Sequence, residues 1–261
     1  MKKISILGCG WIGLPLATQL VQQGWTVKGS TTRLEKQAIL SENGIIPYLI
    51  QADDPIPTTD FFDTPVCLIN IPPRSKTRGP AHARQQLDHI LAHLTPATWV
   101  IFISSTSVYP DTQAEVFEAD ADTNHPLVLL ENQLLAKIPQ ALILRCGGLM
   151  GVDRLPGKFV QGKILDHGGK APVNYVHQQD VIRAIQTALE TKPGVGGIYN
   201  IVSPEHPTRR EVMEISCRRH QWPMPQFHEA AEVEPFKMVS GKAFQEAYHF
   251  VYQWPDPKTY V

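Results

Sequence analysis

The apolar residues of this chain fall into short, nearly continuous runs that alternate with stretches of helical spacing. Ile4 to Leu7 is the first run, and Trp25 to Arg33, Ile45 to Ile50, Pro65 to Ile71, Trp99 to Ile103 and Ala141 to Arg145 follow. Such runs read as strands buried on both faces, as in a parallel sheet with helices on each side. Between them, Leu14, Leu16, Ala17, Leu20 and Val21 mark one helical face, and Leu34 to Glu42, Gly79 to Leu94 and Leu127 to Ala136 read as further helices. The alternation predicts βαβ units. From about Gly147 the pattern loosens into glycine- and proline-rich segments, with one clear strand–helix unit over Asn174 to Glu190 and a late strand at Ile198 to Val202. The tail from Pro204, rich in prolines and aromatics, predicts a small lobe. The expected organisation is a core over 1–146, then 147–261 carrying the remaining core units interleaved with that lobe.

The first run passes straight into Gly8-Cys9-Gly10-Trp11-Ile12-Gly13. Glycines at this spacing occur in ordinary turns too; here a strand precedes them and a helix follows, which is the setting of a dinucleotide fingerprint. Gly8 permits the tight turn, Gly10 lets the backbone approach a pyrophosphate, and Gly13 lets the helix pack closely while its N-terminus faces the phosphates. Gly8, Gly10, Trp11, Ile12 and Gly13 are therefore candidate cofactor-binding residues. The expected fold is α/β: a Rossmann-type doubly wound parallel sheet with a small C-terminal substrate-side lobe. NAD binders place a carboxylate about twenty residues past the glycines. This chain instead has Ser30-Thr31-Thr32-Arg33, and these hydroxyls and the guanidinium suit a 2′-phosphate, so all four are candidate cofactor-binding residues and NADP is expected over NAD. The plainer reading of Arg33 is a solvated cation opening the next helix, paired with Glu35.

Composition narrows the classes. The chain has 261 residues, 43% hydrophobic, enough for a large core. Its 24 basic and 25 acidic side chains give no electrostatic case for nucleic acid or a membrane surface. No apolar run reaches the length of a membrane span, and Met-Lys-Lys leads into a strand instead of a signal peptide, so a cytoplasmic protein is expected. Cys9, Cys67, Cys146 and Cys217 lie far apart with no CxxC pair, which predicts buried thiols instead of disulfides or a metal site.

A second informative segment is Phe102-Ile103-Ser104-Ser105-Thr106-Ser107-Val108-Tyr109, where a buried strand ends in successive hydroxyls. Taken alone, these hydroxyls read as caps on a strand end. Leu144 to Arg154, Tyr175-Val176-His177-Gln178-Gln179-Asp180-Val181 and Gly197-Ile198-Tyr199-Asn200-Ile201 add three further segments in order. With these, nearly the whole chain resembles the extended short-chain dehydrogenase/reductase family, which includes nucleotide-sugar epimerases and dehydratases. The resemblance implies that Ser105 is the catalytic serine, also touching the cofactor, and that Asp53 contacts the adenine. It implies that Ile71, Pro72 and Pro73 stand beside the nicotinamide ribose, and that Thr106, Arg145 and Arg154 lie near the substrate, the arginines gripping a phosphate or bracing the lobe. His177 and Asp180 read as structural, with Asp180 capping the next helix.

The chain departs from the family at the proton-transfer pair, Tyr-x-x-x-Lys, in which lysine lowers the pKa of the tyrosine. Anchoring on Glu131 puts Thr123 at the tyrosine position and Leu127 at the lysine position, and no such pair follows Tyr109. Asp120, Asp122, His125 and Lys137 are nearby ionisable residues that read as solvated loop or helix positions; of the four, His125 is the substitute best matched to neutral pH. Two readings follow: an atypical NAD(P)-dependent epimerase/dehydratase-like oxidoreductase acting on a small polar or sugar-like molecule, or a catalytically inactive NADP(H)-binding redox sensor or partner-binding module. The short tail, roughly sixty residues, favours a substrate smaller than a nucleotide sugar. Family members often form homodimers through two helices, but Gly79 to Leu94 and Leu127 to Ala136 show no unambiguous extra apolar stripe.

Overall fold

In the computed structural model, which describes residues 2–72, 75–166, 168–228 and 234–261, the apolar runs of the sequence become strands. These are β1 (Lys3–Leu7), β2 (Thr26–Thr31), β3 (Ile46–Leu49), β4 (Val66–Ile69) and β5 (Trp99–Ser105), then the short β6 (Glu115–Val116) and β7 (Leu142–Cys146). Later come β8 (Gly148–Met150), β9 (Ile164–Leu165), β10 (Tyr175–His177), β11 (Gly197–Ile201), β12 (Gln226–Phe227) and β13 (Met238–Val239). The helices are α1 (Gly13–Gln22), α2 (Lys36–Glu42), α3 (Ser75–Arg78), α4 (Pro80–Leu91) and α5 (Pro126–Lys137), followed by α6 (Pro156–Val160), α7 (Gln178–Thr191), α8 (Arg209–Arg219) and α9 (Lys242–Tyr248). Seven strands form one sheet in the order β11-β7-β5-β4-β1-β2-β3. The β1–β2, β2–β3, β1–β4 and β4–β5 pairs are parallel. This is the doubly wound arrangement expected, and strand order reverses direction between β1 and β4.

The chain divides into two compact units. The first comprises Met1–Ser104, Thr123–Leu144 and Lys192–Ile198. Its strands are apolar because both faces are covered: Ile4, Ile6, Leu68, Val100 and Ile101 are all fully buried. Leu16, Ala17 and Leu20 give α1 the buried stripe that its spacing predicts. Two buried polar side chains on these strands are paired. Ser5 Oγ shares a hydrogen bond of 2.8 Å with Thr64 Oγ1, and Ser104 Oγ donates to the buried Glu131 carboxylate at 2.6 Å. Cys67 and Cys146 are buried, and burial pushes each thiol up to about 12, so both remain protonated.

The second unit comprises Ser105–Asp122, Arg145–Thr191 and Tyr199–Val261, so 105–122 joins the later part of the chain. Three parallel two-stranded ribbons, β8–β10, β9–β12 and β6–β13, bring distant segments together here. The tail packs into this unit, with Tyr260 and Val261 against Val173 and Val212. Asp180 anchors the tail instead of capping α7. Its fully buried carboxylate accepts the N–H groups of Gln253 (2.8 Å) and Trp254 (2.9 Å) and pairs with Arg183 (2.9 Å). Among the described residues no helix is long and apolar enough to cross a membrane.

Replacing Asp180 by Ala strands two part-buried backbone donors and the partner of Arg183, which costs about 1–3 kcal/mol. The expected outcome is a lowered urea midpoint with an unchanged slope. A midpoint equal to that of the wild type would show that the tail is held by its aromatic contacts alone.

Candidate dinucleotide site

The turn after β1 is built by close approach. Gly8 has φ +102°, and a Cβ there would lie 2.6 Å from Asn70 O. Its N–H donates to Ser30 Oγ (2.9 Å) and its carbonyl accepts from Asn70 Nδ2 (3.1 Å). Cys9 N–H donates to Ser30 O (2.8 Å). The turn is thus tied to the C-terminal ends of β2 and β4. At Gly13, a Cβ would meet Gly8 O at 2.2 Å, so only glycine lets α1 start this close to the strand. At Gly10 a Cβ would meet no atom within 4 Å. The start of α1 has no side-chain cap.

A cavity of about 450 Å³ opens at this point, where the sheet reverses direction. Gly8, Gly10, Ser30, Thr31, Thr32, Arg33, Asp53, Ile71 and Pro72 line it, bringing together most of the residues expected to touch a cofactor. Trp11, Ile12 and Gly13 are not among its walls, and Ile12 is buried in the core. Pro73 lies outside the described residues. Within Ser30 to Arg33 the roles divide. Ser30 is buried with its hydroxyl taken by Gly8, and Thr31 Oγ1 accepts Arg33 N–H at 3.2 Å, so both brace the loop. Thr32 and Arg33 are exposed.

Several lining residues escaped the sequence reading, Lys36, Arg78 and Gln86 among them. Lys36 is one helical turn past Arg33, so a second cation faces the cavity; the i,i+3 spacing was the available signal. Arg78 and Gln86, from α3 and α4, also line it and hold the Asp53 carboxylate at 2.5 and 2.8 Å, with His82 Nε2 at 3.3 Å. Nothing in the spacing of these residues announces that Asp53 sits in an ion pair.

The residues expected at the chemistry are placed differently. Ser105 Oγ caps a 3₁₀ turn by accepting Ser107 N–H at 3.1 Å, and Thr106 is buried. Arg145, 3% exposed, donates to Tyr109 Oη (2.9 Å) and to Glu118 O (2.8 Å), which is the bracing alternative. Tyr109 Oη donates to Asn200 Oδ1 at 2.6 Å, and burial raises its pKa. Arg154 is exposed on a turn closed by backbone bonds with Gly151. Thr123 is exposed and Leu127 is buried in α5, so neither position supplies an acid or base. His125 Nδ1 accepts Leu127 N–H at 3.2 Å, capping α5.

A sheet in this order, with β1 to β5 paired in parallel and a glycine turn at its reversal point, is a Rossmann-type fold, shared with solved sugar-nucleotide epimerases and dehydratases. The UDP-glucuronic acid 4-epimerase of Bacillus cereus, solved with UDP-glucuronic acid and NAD, superposes with a TM-score of 0.74 at 18% identity, over 98% of this chain and 96% of that one. The dTDP-glucose 4,6-dehydratase of Bacillus anthracis, solved with NAD, gives 0.77 at 13% identity, over 99% and 94%. No family model matches the chain. Protein YeeZ of Escherichia coli K12 is 37% identical over 272 aligned positions, spanning 98% of each chain, and this chain belongs to the YeeZ family.

Gly13→Ala forces a contact at 2.2 Å and is expected to destabilise the fold by about 1–3 kcal/mol in urea unfolding. Gly10→Ala, which meets open space, should stay within about 0.5 kcal/mol of wild type. Equal losses at the two positions would contradict the packing described for the turn.

Proposed function

We propose that this chain binds a nicotinamide dinucleotide, NADP in preference to NAD, and acts as an atypical epimerase/dehydratase-type oxidoreductase on a small polar or sugar-like substrate. One observation carries the reading: a glycine-walled cavity at the reversal point of the sheet, with Arg33 and Lys36 both on its wall. The fit is supported by the cradle itself, since the space at Gly10 is free of protein atoms out to 4 Å. The NAD in the two superposed enzymes supports the cofactor class.

Each residue has a physical task in this reading. The Gly8–Gly13 turn presents backbone to a pyrophosphate, which a side chain at Gly10 would push away. Arg33 and Lys36 offer donors and charge to a 2′-phosphate, and the order NADP over NAD follows from them. Ile71 and Pro72 supply an apolar wall on the nicotinamide side. When bound, the nicotinamide would supply hydride transfer. Ser105 has its oxygen engaged by Ser107 N–H, which leaves its own O–H to donate to a substrate oxygen. With Thr123 and Leu127 at the family's proton-transfer positions, any proton the reaction moves passes through another group.

Calorimetry with NADPH and NADH tests this reading. Arg33→Ala is expected to weaken NADPH by about 1–3 kcal/mol and to spare NADH, with Lys36→Ala acting in the same direction. Gly10→Ala is expected to weaken both dinucleotides without loss of stability. Equal effects of Arg33→Ala on both would remove the phosphate role, and failure of the wild type to bind either would sink the proposal. Binding without hydride transfer to any of a panel of sugar nucleotides and small carbonyls would support binding without catalysis.

A further inference from the structure

The second unit has its own cavity, about 260 Å³, sharing no wall with the glycine-lined one. Its polar walls are Asp111, Asn174, Tyr175, Arg209 and Lys237. Most of these groups are already engaged. Lys237 Nζ donates to Tyr109 O (2.7 Å) and pairs with Asp111 (3.1 Å). Asn174 spends both ends of its amide on backbone, donating to Lys237 O (2.9 Å) and accepting from Val239 N–H (2.7 Å).

Arg209 and Tyr175 are different. The backbone N–H of Arg209 donates to Ala171 O at 2.9 Å, but its half-buried guanidinium has no ion pair or hydrogen bond among the described residues. The Tyr175 ring packs on Gly148, while its hydroxyl has no hydrogen-bond partner among the described residues. Burial raises its pKa, with the Arg209 charge opposing that shift, so the phenol remains an O–H donor at neutral pH. With Lys237 matched by Asp111, Arg209 is a positive charge on the wall that no carboxylate among the described residues pairs with. Holding a guanidinium away from water without a counter-charge is costly, and an anion in the cavity relieves that cost.

We propose that this cavity binds a small organic anion, a sugar acid or a sugar phosphate, gripped by the Arg209 guanidinium and hydrogen-bonded by the Tyr175 hydroxyl. The single unmatched cation suits one anionic group. The volume falls below the roughly 300–1,000 Å³ of pockets that enclose drug-sized ligands, so a nucleoside diphosphate sugar does not fit inside it. That the anion is the molecule on which the protein acts rests on the proposed function; that it binds here does not.

The test is calorimetry of the full chain with D-glucuronate, glucose 6-phosphate, glucose and UDP-glucose. The expected result is binding of glucuronate or glucose 6-phosphate with none of glucose; the tighter of the two anions identifies carboxylate or phosphate as the group held. Arg209→Gln should weaken that anion about tenfold or more, and Tyr175→Phe severalfold, with thermal unfolding reporting that each variant is folded. Should Arg209→Gln fail to fold, Tyr175→Phe and the charge-retaining Arg209→Lys carry the test, Arg209→Lys keeping most of the affinity. Absence of anion binding by the wild type, equal binding of glucose, or folded variants binding like the wild type would each overturn the assignment. UDP-glucose binding tighter than both anions and lost in Arg209→Gln would overturn the small-ligand claim. NADPH titrated in parallel separates the two readings, since its binding depends on the other cavity.

Discussion

Everything at the candidate cofactor site depends on how closely three backbone segments converge after β1. The Gly8 carbonyl lies 2.2 Å from where a Cβ on Gly13 would be, and the Gly8 N–H and carbonyl are held by Ser30 and Asn70. Close packing of this kind leaves no room for a side chain at Gly8 or Gly13, and it places the start of α1 at the reversal point of the sheet. The cavity is a consequence of that convergence. Gly8 and Gly10 contribute backbone to its wall, and Arg33 and Lys36 after β2 and Ile71 and Pro72 after β4 are among the side chains that line it.

Arginine illustrates how burial and partners decide what a residue does. Arg145 is almost wholly enclosed, and it spends donors on Tyr109 and Glu118, so it holds structure together. Arg78 neutralises Asp53 on the cavity rim. Arg209 is half-buried and unmatched among the described residues. A guanidinium with its donors already placed contributes stability, whereas one left open in a cavity contributes recognition.

The strands and most helices were legible in the sequence because burial on both faces of a parallel sheet leaves continuous apolar runs, and α1 showed its stripe at Leu16, Ala17 and Leu20. The glycine turn was legible because its spacing reports a steric requirement. The absence of Tyr-x-x-x-Lys after Tyr109 could also be read directly. Roles set by distant partners were not legible. Asp53 meets Arg78 and Gln86 across separate helices, and Asp180 reaches a tail more than seventy residues away. Ser30 and Thr31 looked like groups free for a ligand; the turn they brace claims their hydroxyls. Lys36 was missed because which face of α2 meets the cavity depends on how the helix leaves the strand, a matter of tertiary packing.

The central claim is that the glycine-walled cavity holds a dinucleotide with its 2′-phosphate between two cations. A crystal structure of the protein grown with NADPH tests it most directly. The account predicts density for the pyrophosphate along Gly8 to Gly13 and for the 2′-phosphate within hydrogen-bonding reach of Arg33 and Lys36. An ordered dinucleotide bound elsewhere, or one in this cavity with its 2′-phosphate turned away from both side chains, would contradict it.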